Sequence, residues 1–117
     1  MMIELFKSKI HRATVTDANV DYMGSITIDP NLIEAANMVV GEKVQVLSMN
    51  SGTRLETYII SGQRDSGEII INGPAALKIK KDHQVIIISY IYSNIKDFKK
   101  ITPTIIFPEE KTNKIKC

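Results

Sequence analysis

The sequence predicts a mainly β fold, one small closed barrel with a few short helices, and three observations point that way. The apolar runs are of strand length, the longest being Val85-Ile86-Ile87-Ile88. Of the residues, 44% are hydrophobic but only 6% are aromatic and none is Trp, so the core is aliphatic and rich in Ile and Val. β-Branched residues favour strands. Turn-forming clusters break the chain at short intervals: Asp17-Ala18-Asn19, Asn50-Ser51-Gly52 and Asn72-Gly73-Pro74. The count of roughly six or seven strands and two or three short helices suits a closed barrel better than a sandwich. At 117 residues the chain makes a single domain, 1–117.

Each element has its own signal. Ile3 to Thr16 reads as one extended strand, alternating polar and apolar from Lys9 onward with the strand period of two. Asp17-Ala18-Asn19 reads as a turn, and Ser25-Ile26-Thr27-Ile28 as the next strand. Asp29 caps a helix whose first position is Pro30, where no N–H donor is needed. That helix is expected to run through Met38 and stop before Gly41. A hairpin follows, Lys43–Leu47 and Arg54–Ile60 around Asn50-Ser51-Gly52. Glu68–Ile71 forms a strand, and Ala75–Lys78 a short helical turn. Gln84–Tyr92 is a long apolar strand expected to be buried on both faces. Asn94–Lys100 suits a short helix, and Thr104–Phe107, fenced by Pro103 and Pro108, an edge strand. Glu109–Cys117 is charged and expected to fray.

Several function classes find no support. Fifteen basic side chains against 13 acidic give a net charge of +2, too balanced to imply a nucleic-acid partner. The N-terminus lacks the basic segment and long apolar run of a signal peptide, and no stretch approaches a membrane span. Cys117 is the one cysteine, so no internal disulfide forms, which fits a reducing compartment. Two histidines, one cysteine and no clustered carboxylates offer no metal-ligand set. There is no GxSxG elbow, P-loop or GxGxxG.

The stretch that invites chemistry is Tyr22-Met23-Gly24-Ser25-Ile26-Thr27-Ile28-Asp29. A Ser hydroxyl can attack the carbonyl just before it and shift the acyl group from nitrogen to oxygen. The attack needs a bent backbone, which Gly24 allows because it has no Cβ. Elimination from the ester frees the upstream fragment. The dehydroalanine left behind hydrolyses to a pyruvoyl group, a ketone at a new chain terminus. The same residues also read as a Gly-Ser turn entering a strand. Taken singly, the other candidates have ordinary roles too. His11 reads as a strand residue, Lys9 and Arg54 as solvated cations, Tyr58 as a half-buried aromatic and Asn72-Gly73 as a turn.

In combination these residues and their spacing resemble the pyruvoyl-dependent L-aspartate alpha-decarboxylases. The shared stretches are Ser8-Lys9-Ile10-His11-Arg12-Ala13, Asp17-Ala18-Asn19 and Tyr22 to Asp29, then Gly52-Thr53-Arg54, Thr57-Tyr58 and Asn72-Gly73-Pro74-Ala75-Ala76. The resemblance implies a double-psi β-barrel and a homotetramer with active sites between neighbours. It implies cleavage at Gly24–Ser25 into a short chain, 1–24, and a long chain, 25–117, headed by pyruvoyl. The implied reaction converts L-aspartate to β-alanine and CO2 in the cytoplasm, toward pantothenate and coenzyme A. The cofactor would be the pyruvoyl group from Ser25, with neither metal nor pyridoxal phosphate.

Roles carry over by position. Ser25 would bear the ketone that forms a Schiff base with the substrate, and Tyr58 would donate the proton that quenches the carbanion. Lys9, Arg54, Thr57, Asn72, Gly73, Pro74 and Ala75 would bind substrate. Gly24, Ser25 and Thr57 would serve processing, with His11 and Tyr22 in support. Two positions depart from the family pattern. Pro74 replaces an Ala and has no N–H to donate, and Leu47 replaces an aromatic of many members. The competing reading is a small β-barrel DNA-binding or interaction module, based on Lys96, Lys99, Lys100, Lys111, Lys114 and Lys116.

Overall fold

A computed structural model of the chain describes residues 1–115, so Lys116 and Cys117 lie outside the described residues. The strands are β1 (Met2–Thr14), β2 (Asp17–Asn19), β3 (Ser25–Ile28), β4 (Lys43–Ser48), β5 (Arg54–Ser61), β6 (Ile69–Asn72), β7 (Gln84–Asn94) and β8 (Thr104–Ile106). One α-helix, α1 (Pro30–Ala35), follows β3, and single 3₁₀ segments occupy Gly73–Leu77 and Ile95–Lys100. The eight strands form one mixed sheet in the order β2-β6-β3-β5-β4-β7-β1-β8.

The link between β1 and β2 rolls that sheet up. The two strands stand six places apart in the order. In a flat sheet six strand spacings would hold them about 29 Å apart. Only Val15 and Thr16 join them, and three Cα steps span at most about 11 Å. The sheet must therefore curl until its two ends meet, as in a small barrel. Thr16 seals the junction, its N–H donating to the Ile69 carbonyl at 2.8 Å and its hydroxyl accepting from Ile69 N–H at 3.1 Å. Inside lie Ile10, Ile26, Ile28, Ile59, Ile69, Ile71, Ile87, Val44 and Val46, with Leu32 of α1 in the same core, all fully buried.

A kink in β1 sets which of its side chains face outward. Its pairing with β7 shifts register between His11 and Ala13, where Arg12 takes φ +68. Ser8 and Ile10 are buried before this bulge, Ala13 and Val15 after it, so the inward face changes from even to odd residues. Lys9 and His11 therefore both stand on the outer face.

Four expectations need correction. Asp17-Ala18-Asn19 is β2, not a turn, and pairs parallel with Ile70-Ile71-Asn72. The turn chemistry falls one step later, where Asn19 Oδ1 accepts from Asp21 N–H. The helix stops at Ala35 rather than Met38 because Asn37 adopts φ +59 and ends it before Gly41 does. β7 is buried on both faces only in its middle, Val85 and Ile87 to Ser89, while Tyr92 is exposed. The tail through Asn113 is docked, not frayed. Asn113 is buried, its Oδ1 accepting from Thr14 N–H and its Nδ2 donating to the carbonyls of Thr14 and Gly67. The remaining boundaries match within a residue or two, including the Asp29 cap, whose Oδ1 accepts from Asn31 N–H at 2.8 Å. No helix among the described residues is long and apolar enough to cross a membrane.

Candidate active site

Antiparallel pairing of β3 with β6 sets Ser25 directly opposite Asn72. Ser25 is 2% exposed although it begins its strand and follows four exposed residues, Asp21 to Gly24. Its hydroxyl donates to the Met23 carbonyl at 2.9 Å and accepts from Asn72 Nδ2 at 3.1 Å. The same Nδ2 donates to Thr27 Oγ1 at 2.9 Å, so a single amide ties two residues of β3. Beyond Asn72, Gly73 turns the chain with φ +79. A Cβ at Gly73 would stand 2.7 Å from Gly24 Cα and 2.9 Å from Gly24 N. The backbone around Gly24 thus fills the space that a side chain at 73 would need.

Glycine is demanded at 73 rather than at 24. Gly24 has no positive φ, and a Cβ there would meet nothing within 4 Å. The chain does bend at Gly24, as the sequence suggests, but it does so without a positive φ. Ser25 Oγ points to the carbonyl of Met23, so attack on the Gly24 carbonyl requires the hydroxyl to leave that bond.

β5 lies on the other side of β3, pairing in parallel with Ile26 opposite Ile59. Tyr58 precedes that pair by one residue, as Ser25 does, so both lie just before the ladder starts. Thr57 and Tyr58 face opposite sides, as neighbours on a strand must. Thr57 is half-buried and pairs with buried Val44, while Tyr58 is 39% exposed and pairs with Lys43. Arg54, four residues before Tyr58, lies about 13 Å further along the strand.

The outer face gathers the remaining candidates. Cross-strand register puts His11, Ile86, Leu47 and Arg54 in one row over β1, β7, β4 and β5. Lys9, Ile88, Gln45 and Glu56 form the next row. Lys9 Nζ stands 4.7 Å from the centre of the Phe6 ring, and the His11 ring meets Phe107 edge-on at 5.6 Å. Arg54 Nη1 donates to Gln45 Oε1 at 2.8 Å. Leu47, directly beside Arg54, is half-buried.

The sequence candidates therefore fall into two groups. Gly24, Ser25, Asn72, Gly73 and the start of the Tyr58 ladder come together, with Pro74 and Ala75 in the 3₁₀ turn that follows and exposed Tyr22 in the approach to Gly24. Lys9, His11 and Arg54 lie apart from them. Lys9 and His11 stand on β1, which does not pair with β3, and Arg54 stands about 13 Å along β5 from Tyr58. Sequence reasoning missed Thr27, Gln45 and Tyr90, polar members of the two groups. Their only sequence signal is a polar residue on an otherwise apolar strand. Among the described residues no three His, Cys, Asp or Glu side chains are grouped to hold a metal.

Comparison with known proteins agrees with the resemblance. The aspartate decarboxylase family model matches residues 1–116. An aspartate 1-decarboxylase of Bacteroides fragilis is 56% identical, with 98% of both chains covered. One from Bacteroides thetaiotaomicron is 55% identical, again over 98% of both. One from Flavobacterium psychrophilum is 51% identical over 99% of this chain and all of its own. With the whole fold and site region spanned at such identity, this chain belongs to the aspartate decarboxylase family.

Proposed function

We propose that the chain cuts itself between Gly24 and Ser25, giving chains 1–24 and 25–117, and decarboxylates L-aspartate to β-alanine and CO2 at the pyruvoyl group left at position 25. The observation that carries this reading is the seat of Ser25, a buried hydroxyl held by Asn72 beside a glycine socket that takes the Gly24 backbone. The seat fits a small group made from Ser25 itself. An amide donor already stands at that residue, and the socket excludes any side chain at 73. When formed, the pyruvoyl group supplies an electrophile for the substrate amine and a sink for the electrons released with CO2.

The chain's own residues do the rest. The Arg54 guanidinium offers two parallel N–H donors to a substrate carboxylate. Lys9 supplies the second positive charge that a dianion requires. Tyr58 offers its phenolic O–H as the proton donor to the former α-carbon. Thr57 serves as an oxyanion partner during cleavage. Asn72, Gly73, Pro74 and Ala75 border the substrate, Pro74 without a donor of its own, and His11 and Tyr22 give support. Within one protomer Arg54 stands about 13 Å along β5 from Tyr58, and Lys9 stands on a strand that does not pair with β3. A homotetramer in which a neighbour supplies them resolves that separation and belongs to this reading. So do the double-psi connectivity, the cytoplasmic location and supply of pantothenate and coenzyme A.

Replacing the nucleophile tests the reading. Ser25→Ala should fold, remain a single uncut chain and show no decarboxylation. Wild-type turnover by uncut Ser25→Ala protein would overturn it.

A further inference from the structure

Arg54 begins its strand on the outer face, exposed to solvent. A free arginine there would sample many rotamers, and that freedom would be lost when it grips a substrate. One contact removes that freedom beforehand. Gln45 lies diagonally across from Arg54, paired with Glu56 while Arg54 pairs with Leu47. Its side-chain oxygen accepts from Arg54 Nη1 at 2.8 Å and from Tyr90 hydroxyl at 2.8 Å. Arginine only donates, so the Gln45 atom facing it must be the oxygen, and the Tyr90 hydroxyl must then be a donor too. The two donors fix the flip of the amide and the place of the guanidinium.

The charges nearby are arranged so that this hold does not neutralise Arg54. Glu56 is on the same outer face, two residues away, but its carboxylate pairs with Lys43 at 3.4 Å. Among the described residues Arg54 joins no salt bridge. The Gln45 carbonyl is neutral and occupies one of five N–H donors. The rest of the guanidinium keeps its full charge for an incoming carboxylate.

We infer that Gln45, braced by Tyr90, is a positioning residue that holds the Arg54 guanidinium ready for the substrate carboxylate. The inference rests on the carboxylate-binding role given to Arg54 above. Neither residue touches the reacting atoms, and Tyr90 acts only through Gln45.

The test uses the processed enzyme in three variants, Gln45→Met, Tyr90→Phe and the pair, with Arg54→Ala alongside. The readouts are extent of self-cleavage, kcat, KM for aspartate, and calorimetric Kd for succinate, a dicarboxylate without the reacting amine. Gln45→Met should cleave fully, keep kcat within about twofold, and raise KM and succinate Kd together by about tenfold. Tyr90→Phe should raise both by about threefold, and in the pair it should add nothing to Gln45→Met, since its effect passes through that amide. Unchanged KM and Kd in Gln45→Met would overturn the inference, as would losses that multiply in the pair. A parallel fall in cleavage and kcat would also overturn it, by marking Gln45 as a residue of the fold. Arg54→Ala separates the two levels. If it weakens succinate binding while Gln45→Met does not, only the positioning role fails. If Arg54→Ala binds succinate as wild type does, the carboxylate role fails and the positioning role with it.

Discussion

Gly73 and Gly24 meet at the cleavage site with opposite demands. A side chain at 73 would strike Gly24 backbone, whereas one at 24 would meet open space. Gly73 also sits at φ +79, where a Cβ adds strain. Gly73→Ala should therefore push the scissile peptide out of its seat and leave most of the protein uncut by intact mass. Gly24→Ala, as a folding control, should keep its unfolding midpoint close to wild type. Wild-type cleavage by Gly73→Ala would contradict the socket. For Tyr58 the expectation is a separation of chemistry from processing. Tyr58→Phe should fold and cleave, yet lose kcat by about 10²–10⁴, the usual worth of a general acid. Borohydride with aspartate should still fix substrate to its long chain. Near-normal turnover by the cleaved variant would remove Tyr58 from that role. Arg54→Ala should lower kcat/KM by roughly tenfold to a hundredfold, the worth of a charged hydrogen bond, and Arg54→Lys should restore only part of it.

At the scale of elements, the sequence was most legible where one local signal decides the outcome. Asp29-Pro30 starts α1 as read, because the carboxylate satisfies an orphan N–H whatever the surroundings. Asp29 also does what no local pattern announces: its Oδ2 accepts from Gly67 N–H at 2.8 Å and pins a loop 38 residues away. The misread elements share that long-range character. Residues 17–19 have turn composition but become β2 because β6 offers them a ladder. The tail has loop composition but docks because Asn113 meets three backbone partners from Thr14 and Gly67. Glu109 shapes the turn that delivers it. Its carboxylate accepts from Lys111 N–H and from Thr112 N–H and hydroxyl, and these bonds hold its pKa below the ordinary carboxylate value. A lowered pKa means stability present at neutral pH and lost as pH falls through the folded value. The amide signals of Lys111 and Thr112 should accordingly move in an acid titration with a midpoint below that of a free glutamate, and Glu109→Gln should abolish the transition. A midpoint at or above the free value would contradict the turn. Asn113→Ala should cost about 1–3 kcal/mol by leaving buried backbone groups unpaired.

The whole molecule shows the clearest limit of reading from sequence. Most of the candidate site residues could be proposed from the chain, but not Thr27, Gln45 or Tyr90, and not how the fold arranges them. Lys9 and Arg54 lie on an outer sheet face, and only the cross-strand register places them in neighbouring rows of it. Ser25 begins β3, which does not pair with Lys9's strand, β1. Neither fact is a property of any local stretch. If neighbours complete the site, one defective subunit should rescue another. Ser25→Ala retains Arg54, and Arg54→Ala retains Ser25. Oligomers mixed by co-expression should regain activity that neither variant has alone. Mixed oligomers as inactive as the parents would mean that each protomer supplies its own arginine.

Intact mass of the purified protein tests the central claim most directly. Self-cleavage predicts two chains, one with the mass of residues 1–24. The other should be residues 25–117 less the mass of one ammonia, because a ketone has replaced the amine of Ser25. The long chain should resist Edman degradation for the same reason. A single chain of 13.1 kDa with full aspartate decarboxylase activity would contradict it.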